Sequence, residues 1–166
     1  MKLNQSVPVV NKIKLMNVGP DEQARRIDEA IARRAYEIFE QRGSMGWHEL
    51  EDWRQAESEV RGKLCFSLST ADGSLHIGFN VAHFEEGSVE VWVSSRKMTI
   101  CGRPIRRREQ DERTKPSYEG IAFRTIVLPA EVEPARAVAS VKRNFVDICL
   151  PLIHVTYAEG SSAQAA

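Results

Sequence analysis

Between residues 63 and 152 the chain alternates apolar and polar residues with a period of two, in seven short runs separated by turn signals. Because successive side chains of a strand point to opposite faces, each run predicts a strand with one buried face. No helical periodicity intervenes between the runs, and this argues for an antiparallel β-sandwich. The runs are residues 63–69, 74–82, 88–95, 97–102, 120–129, 136–142 and 145–152.

Two helical patterns precede the strands and predict an antiparallel helical hairpin over residues 21–61. Asp21 is a suitable N-cap for the first helix, and Gly43 is a natural stop. Such a hairpin buries too little apolar area to be stable alone, so we expect it to pack on another part of the protein. The apolar residues spaced three and four apart are Ile27, Ile31, Ala35 and Ile38, then Leu50, Trp53, Ala56 and Val60.

The remaining segments are predicted to be irregular. Residues 1–20 form a leader that ends at Pro20, and residues 154–166 form a low-complexity tail. The charged stretch 103–120 has no period and predicts a long loop within the sandwich of residues 63–153. Its three arginines at 106–108 could bind phosphate, but the acidic residues that follow favour a solvated loop.

Composition excludes several classes of partner. Basic and acidic residues balance at 23 each, which gives no reason to expect binding to nucleic acid or to an anionic membrane. No apolar run approaches the roughly 20 residues that span a bilayer, and the N-terminus lacks the apolar block of a signal peptide. We therefore expect a cytoplasmic protein. The cysteines are Cys65, Cys101 and Cys149, whose wide spacing favours neither disulfides nor a zinc site.

No set of residues predicts catalysis. The histidines at 48, 76, 83 and 154 lack metal-ligand spacing, and the chain has neither a P-loop nor a nucleophile elbow. Acidic residues are scattered over helix faces and turns, so they nominate no carboxylate pair. We assign no catalytic residue, metal or cofactor, and the prediction is a protein that is not an enzyme.

Residues 63–153 contain a strand with Phe123, Arg124, Leu128 and Pro129, then Ala139, the stretch from Arg143 to Val146, and a final Leu150-Pro151. In this layout they resemble the α-crystallin domain of small heat-shock proteins. That family has a strand with Phe-x-Arg and Leu-Pro, a connector, a signature Ala-x-x-x-Asn-Gly-Val-Leu, and a final Leu-Pro. The resemblance implies a mainly β fold, an immunoglobulin-like antiparallel β-sandwich of the α-crystallin type, here behind an N-terminal helical hairpin.

The resemblance implies an ATP-independent holdase, a chaperone that binds unfolding client proteins through apolar sheet-edge grooves. In the family the groove lies between the strands placed here at 89–95 and 136–142, which points to Val91, Val93, Val138 and Ser140. The Ile-x-Ile anchor that bridges family dimers is lacking, because Ile153-His154-Val155 follows the last strand too closely. We therefore expect a homodimer at most.

Trp92 is the fifth candidate site residue. The valines at 89, 91 and 93 take the core side of their strand, so Trp92 points the other way. Two interpretations stay open. Either the hairpin covers Trp92, or the indole is exposed and anchors a partner.

The hairpin itself, over residues 25–60, resembles a short bacterial domain of unknown function. The match is carried by Ala35-Tyr36-Glu37, Gly43, Trp53 and Ala56-Glu57, and it implies no activity. The alternative to a holdase is therefore a non-enzymatic adaptor, similar to co-chaperone domains, that binds one folded partner through the hairpin or Trp92.

Overall fold

The computed structural model describes residues 13–105 and 120–153. Its elements in chain order are β1 (Ile13–Asn17), α1 (Pro20–Gln41), α2 (Glu49–Val60), β2 (Phe66–Ala71), β3 (Ser74–Asn80), β4 (Val89–Val93), β5 (Lys97–Gly102), β6 (Ala122–Val127), a 3-10 turn (Pro134–Arg136), β7 (Val138–Lys142) and β8 (Phe145–Pro151). The predicted tail, the arginines at 106–108 and His154 lie outside the described residues.

The strands form a sandwich of two four-stranded sheets, which confirms the predicted fold class. One sheet has the order β1-β4-β5-β6, and the other has the order β2-β3-β8-β7. Their facing sides enclose one apolar core, in which Ile77, Val91, Ile148 and Leu150 are almost fully buried. These residues occupy alternate positions on their strands. The period of two in the sequence therefore arises because every second side chain points into this core.

The prediction of an irregular leader over residues 1–20 is wrong for β1. This strand pairs with β4 in parallel, with Ile13 opposite Val89 and Leu15 opposite Val91. Ile13 and Leu15 are buried in the core between the sheets. A parallel neighbour separated by two helices leaves no hairpin signal in the sequence, and five residues are too few to show a clear strand period.

The helical hairpin forms as predicted, with differences at both helix starts. Helix α1 begins at Pro20 with Gly19 as its N-cap, so Asp21 lies in the first turn and is not the cap. Proline is favoured at that first position because its missing amide hydrogen would have no partner there. Gly43 follows the helix with φ of 86°, as expected for a residue that ends a helix.

The predicted buried face of α2 is only half correct. Ala56 and Val60 are fully buried, whereas Leu50 is 62% exposed and Trp53 is 38% exposed. Asp52 takes the inward place in the first turn, where its carboxylate pairs with Arg42 at the end of α1. The charge pair joins the N-terminus of one helix to the C-terminus of the other, and both charges suit the local helix dipole.

The hairpin packs on the outer face of the β1-β4-β5-β6 sheet and creates a second apolar core. From the hairpin, Ile27, Ile31, Ala56 and Val60 belong to this core, and from the sheet Trp92, Cys101 and Phe123. The two cores lie on opposite faces of the same sheet. This explains why β4 and β5 are buried along nearly their whole length.

Candidate partner-binding site

The predicted groove residues separate into two groups in the structure. Val91 and Val93 are buried on β4, at 0% and 1% exposure. Val138 and Ser140 are exposed on β7, in the other sheet. The residues therefore do not line one open groove in this arrangement, and their shared role in binding stays a prediction.

Strand β1 is the reason that Val91 and Val93 are covered. It occupies the edge of β4 that would otherwise lie free, and the pairing continues beyond the strand, because the Val18 amide donates to the Val93 carbonyl at 3.0 Å. Ile13 and Leu15, two positions apart, put their side chains into the core beside the valines. The edge of β4 thus holds an extended apolar segment that belongs to this chain.

Strand β7 is an edge strand of the other sheet. It stands at the end of its sheet, next to β8, and nothing pairs with its outer edge among residues 13–105 and 120–153. Val138 is 60% exposed, and Lys142 is the one charged residue of the strand. An open strand edge with so little charge can form backbone hydrogen bonds and apolar contacts with another extended chain.

A cavity of about 250 Å³ marks the end of the seam where β1 and β7 come together. Ile13 of β1 and Val141 of β7 both line it, with Phe84 and Val89 nearby. The strand edges of the two sheets therefore lie side by side there. We refer to the edges of β1 and β7 and this cavity as the seam.

Trp92 is covered by the hairpin, which settles the two interpretations in favour of packing. Its exposure is 4%, and its ring centroid lies 5.6 Å from that of Phe123. The indole N–H donates to the Glu90 carboxylate at 3.1 Å, and the Arg26 guanidinium lies 5.1 Å from the ring centroid. Trp92 can contact a partner only if the hairpin moves away.

A buried polar contact fixes the hairpin on the sheet. Gln23 of α1 is 0% exposed and its amide nitrogen donates to the Val18 carbonyl at 2.7 Å. The Thr99 hydroxyl of β5 donates to the Gln23 side-chain oxygen at 2.8 Å. Because a buried amide needs partners of fixed direction, this pair of hydrogen bonds sets one position of α1 over the strands.

Ion pairs join the two helices and keep the hairpin closed. Burial of Arg34 opposes its charge, yet hydrogen bonds to Glu59 and Glu37 outweigh it and raise the pKa of the guanidinium. The Arg34–Glu59 contact, at 2.5 Å, links α1 to α2. Together with Arg42 and Asp52, it ties both ends of the shorter helix to α1.

A second cavity, of about 580 Å³, is an open cleft between α1 and the loop before β4. Its lining is strongly charged and includes Arg26, Glu29, Arg33, Glu85, Glu86 and Arg103. The Cys101 thiol also lies there. Burial, with Glu90 nearby, raises the pKa of the Cys101 thiol to about 12, so this cysteine is a poor nucleophile.

Groups that could carry other chemistry are sparse in the described segments. Within residues 13–105 and 120–153, no three histidine, cysteine or acidic side chains converge as a metal site. All three cysteines are free thiols. None of the helices in these segments is both long and apolar enough to cross a membrane.

The sequence analysis missed two residues of the seam, Ile13 and Leu15. A weak signal was present, since Ile13-Lys14-Leu15 places two aliphatic residues two positions apart around a lysine. Three residues are too few to establish a strand without knowledge of the neighbouring strand.

A family model described as a protein of unknown function (DUF2934) matches residues 26–62, which is the hairpin. No curated protein matches the chain.

Solved structures of small heat-shock proteins are similar in fold. Heat shock protein 16.0 from Schizosaccharomyces pombe is 19% identical, covering 57% of this chain and 90% of its own, with a TM-score of 0.45. HSP18.5 from E. histolytica is 14% identical, covering 57% and 91%, with a TM-score of 0.44. A small heat-shock protein from Xylella fastidiosa is 16% identical, covering 58% and 91%, with a TM-score of 0.45.

Proposed function

We propose that this protein is a non-enzymatic, ATP-independent holdase that binds extended apolar segments of unfolding proteins along the seam. The observation that carries the proposal is the pairing of β1 with β4. A segment of the chain's own leader already lies there, bound in parallel, with Ile13 and Leu15 in the core. A client segment with aliphatic residues two positions apart offers the same chemistry.

Binding would require no reaction, only exchange of one strand for another. An unfolding client exposes both apolar side chains and unpaired backbone groups, and a strand edge satisfies both kinds of group at once. Strand β7 offers such an edge directly. The edge of β4, with Val91 and Val93 behind it, becomes available when β1 detaches. In this proposal four of the five predicted site residues, Val91, Val93, Val138 and Ser140, contribute to client binding, whereas the hairpin covers Trp92.

The test is light scattering from a heat-labile client protein with increasing amounts of the full chain and no ATP. Suppression of aggregation at near-stoichiometric ratios is expected. No suppression at large excess contradicts the holdase proposal.

A charge at the strand edge tests the position of the binding site. Val138→Lys places an ammonium group on the open edge of β7, and we expect weaker suppression because burying this charge against a client is unfavourable. Val127→Lys is the matched control, since Val127 is 76% exposed on the other sheet. If both variants lose the same activity, or neither loses any, binding does not depend on β7.

The adaptor remains the second candidate, and exposed apolar residues near the hairpin connector favour it. Met45 and Trp47 are 76% and 98% exposed, and neither belongs to the seam. An adaptor would bind one folded partner with saturation and leave client aggregation unchanged. The same scattering experiment therefore separates the two functions.

A further inference from the structure

The connector between α1 and α2 carries an apolar surface that the fold does not use. We define the hairpin tip as Met45, Trp47 and Leu50 with the flanking Glu49 and Glu51. The three apolar side chains are 76%, 98% and 62% exposed, and both glutamates are exposed as well. Single exposed apolar residues are ordinary, but three exposed apolar side chains within six residues concentrate apolar surface at the end of the hairpin.

The backbone of the tip is also strained. Ser44 and Trp47 have φ of 57° and 84°, in the left-handed region that bulky residues rarely occupy. Gly43 and Gly46 lie beside them in the same connector, and glycine is the residue that adopts positive φ without strain. Trp47 therefore combines an unfavourable backbone with an indole that is almost wholly in water. Neither feature stabilises the folded chain, and such outliers are typical of binding positions.

Charge at the tip identifies the kind of partner. Residues 40–52 contain four acidic side chains and one arginine, and that arginine, Arg42, is bound to Asp52. His48 contacts Glu51 at 2.9 Å. Glu49 and Glu51 flank Leu50 and remain at the surface, while the next basic side chain, Arg54, lies one turn further along α2. The apolar patch thus has an acidic rim.

We propose that the hairpin tip docks a basic, apolar segment of a partner protein, with Trp47 as its anchor. Lysine or arginine side chains of the partner would pair with Glu49 and Glu51 and stack on the indole, while aliphatic residues cover Met45 and Leu50. The charge argues against the other occupants. A second copy would bring the same glutamates face to face, and an anionic membrane would be repelled.

The test uses the full chain and two fluorescently labelled, tryptophan-free peptides of about 18 residues, one of leucine and lysine and one of leucine and glutamate. We expect the lysine peptide to bind, with an affinity that falls as salt is added, and the glutamate peptide not to bind. The double variant Trp47→Ser with Leu50→Ser should weaken binding of the lysine peptide by about 10- to 30-fold. Val127→Ser, which removes an equally exposed apolar side chain elsewhere, should leave it unchanged.

A second variant separates lost binding from lost folding. Trp47→Gly removes the anchor and relaxes the backbone at φ of 84°, so the protein should melt no lower than the wild type and still lose the peptide. The proposal is overturned if neither peptide binds at about 1 mM, if both bind equally, or if the variants bind as well as the wild type. It is also overturned if Trp47 variants instead abolish self-association in sedimentation, or binding to anionic vesicles.

Discussion

Truncation of Leu15 to alanine is the most direct test of the role of β1. Leu15 is 7% exposed, sits opposite Val91 and, with Ile13, holds β1 in the core. Buried leucine-to-alanine changes cost about 2–5 kcal/mol, and we expect about 2–3 kcal/mol here because the rim of the sandwich can close partly around the lost atoms. If β1 detaches before the rest of the protein unfolds, the Leu15→Ala substitution raises the population of the detached state by about 30- to 150-fold.

Native-state hydrogen exchange measures that population. In the wild type, the amides of β1 and Val18 should exchange with a smaller opening free energy than those of β3 and β8, because β1 is a short strand at a sheet edge. Leu15→Ala should lower the opening free energy of β1 by about 2–3 kcal/mol. The same variant should hold a client better in the scattering assay, provided that it remains folded.

Leu150→Ala is the matched control. Leu150 is 0% exposed on β8, so its truncation destabilises the whole sandwich and leaves the local opening of β1 unchanged. The reasoning is refuted if β1 exchanges only together with β3 and β8, or if the two truncations change β1 exchange equally. In either case β1 is an integral strand of the sandwich, and client binding cannot depend on its release.

Three further predictions concern the helical hairpin and its packing on the sheet. Gln23→Leu should lower the free energy of unfolding by about 1–3 kcal/mol in urea, since the buried Val18 carbonyl loses its donor; a change under about 0.5 kcal/mol would mean that this contact does not fix the hairpin. In a variant with Trp47→Phe and Trp53→Phe, acrylamide should barely quench Trp92, which is 4% exposed, whereas strong quenching would mean that the hairpin does not stay on the sheet. Hydrogen bonds from Arg25 and Arg26 lower the pKa of Glu22 from its ordinary 4.5 to about 2. A carboxyl pKa below its unfolded value stabilises α1 above that value, and the contribution disappears as the pH falls from 4.5 towards 2. A carboxyl NMR titration of Glu22 with its midpoint near 4.5 would contradict these contacts.

The sequence by itself determined the local architecture of this protein. Alternating residues specify strands with one apolar face, and spacings of three and four specify the two helices, because backbone geometry alone relates spacing to faces. Leu128-Pro129 and Leu150-Pro151 end their strands, since proline cannot continue a ladder. The outward direction of Trp92 followed from the same alternation. In the tight turn before β8, Arg143 has φ of 55°, a left-handed conformation that its residue type does not indicate.

Only the tertiary structure decided which element covers each apolar face. Strand β1 pairs in parallel with β4, and Ile13 lies 76 positions before its partner Val89. No local pattern encodes a pairing over such a distance. Likewise, Leu50 and Trp53 have the spacing of a buried helical face and yet are exposed, whereas Asp52 is buried with its charge paired to Arg42. A side chain's periodicity gives its direction, but burial depends on what another segment brings to that side. For this reason only the tertiary structure shows that β1 covers the edge of β4.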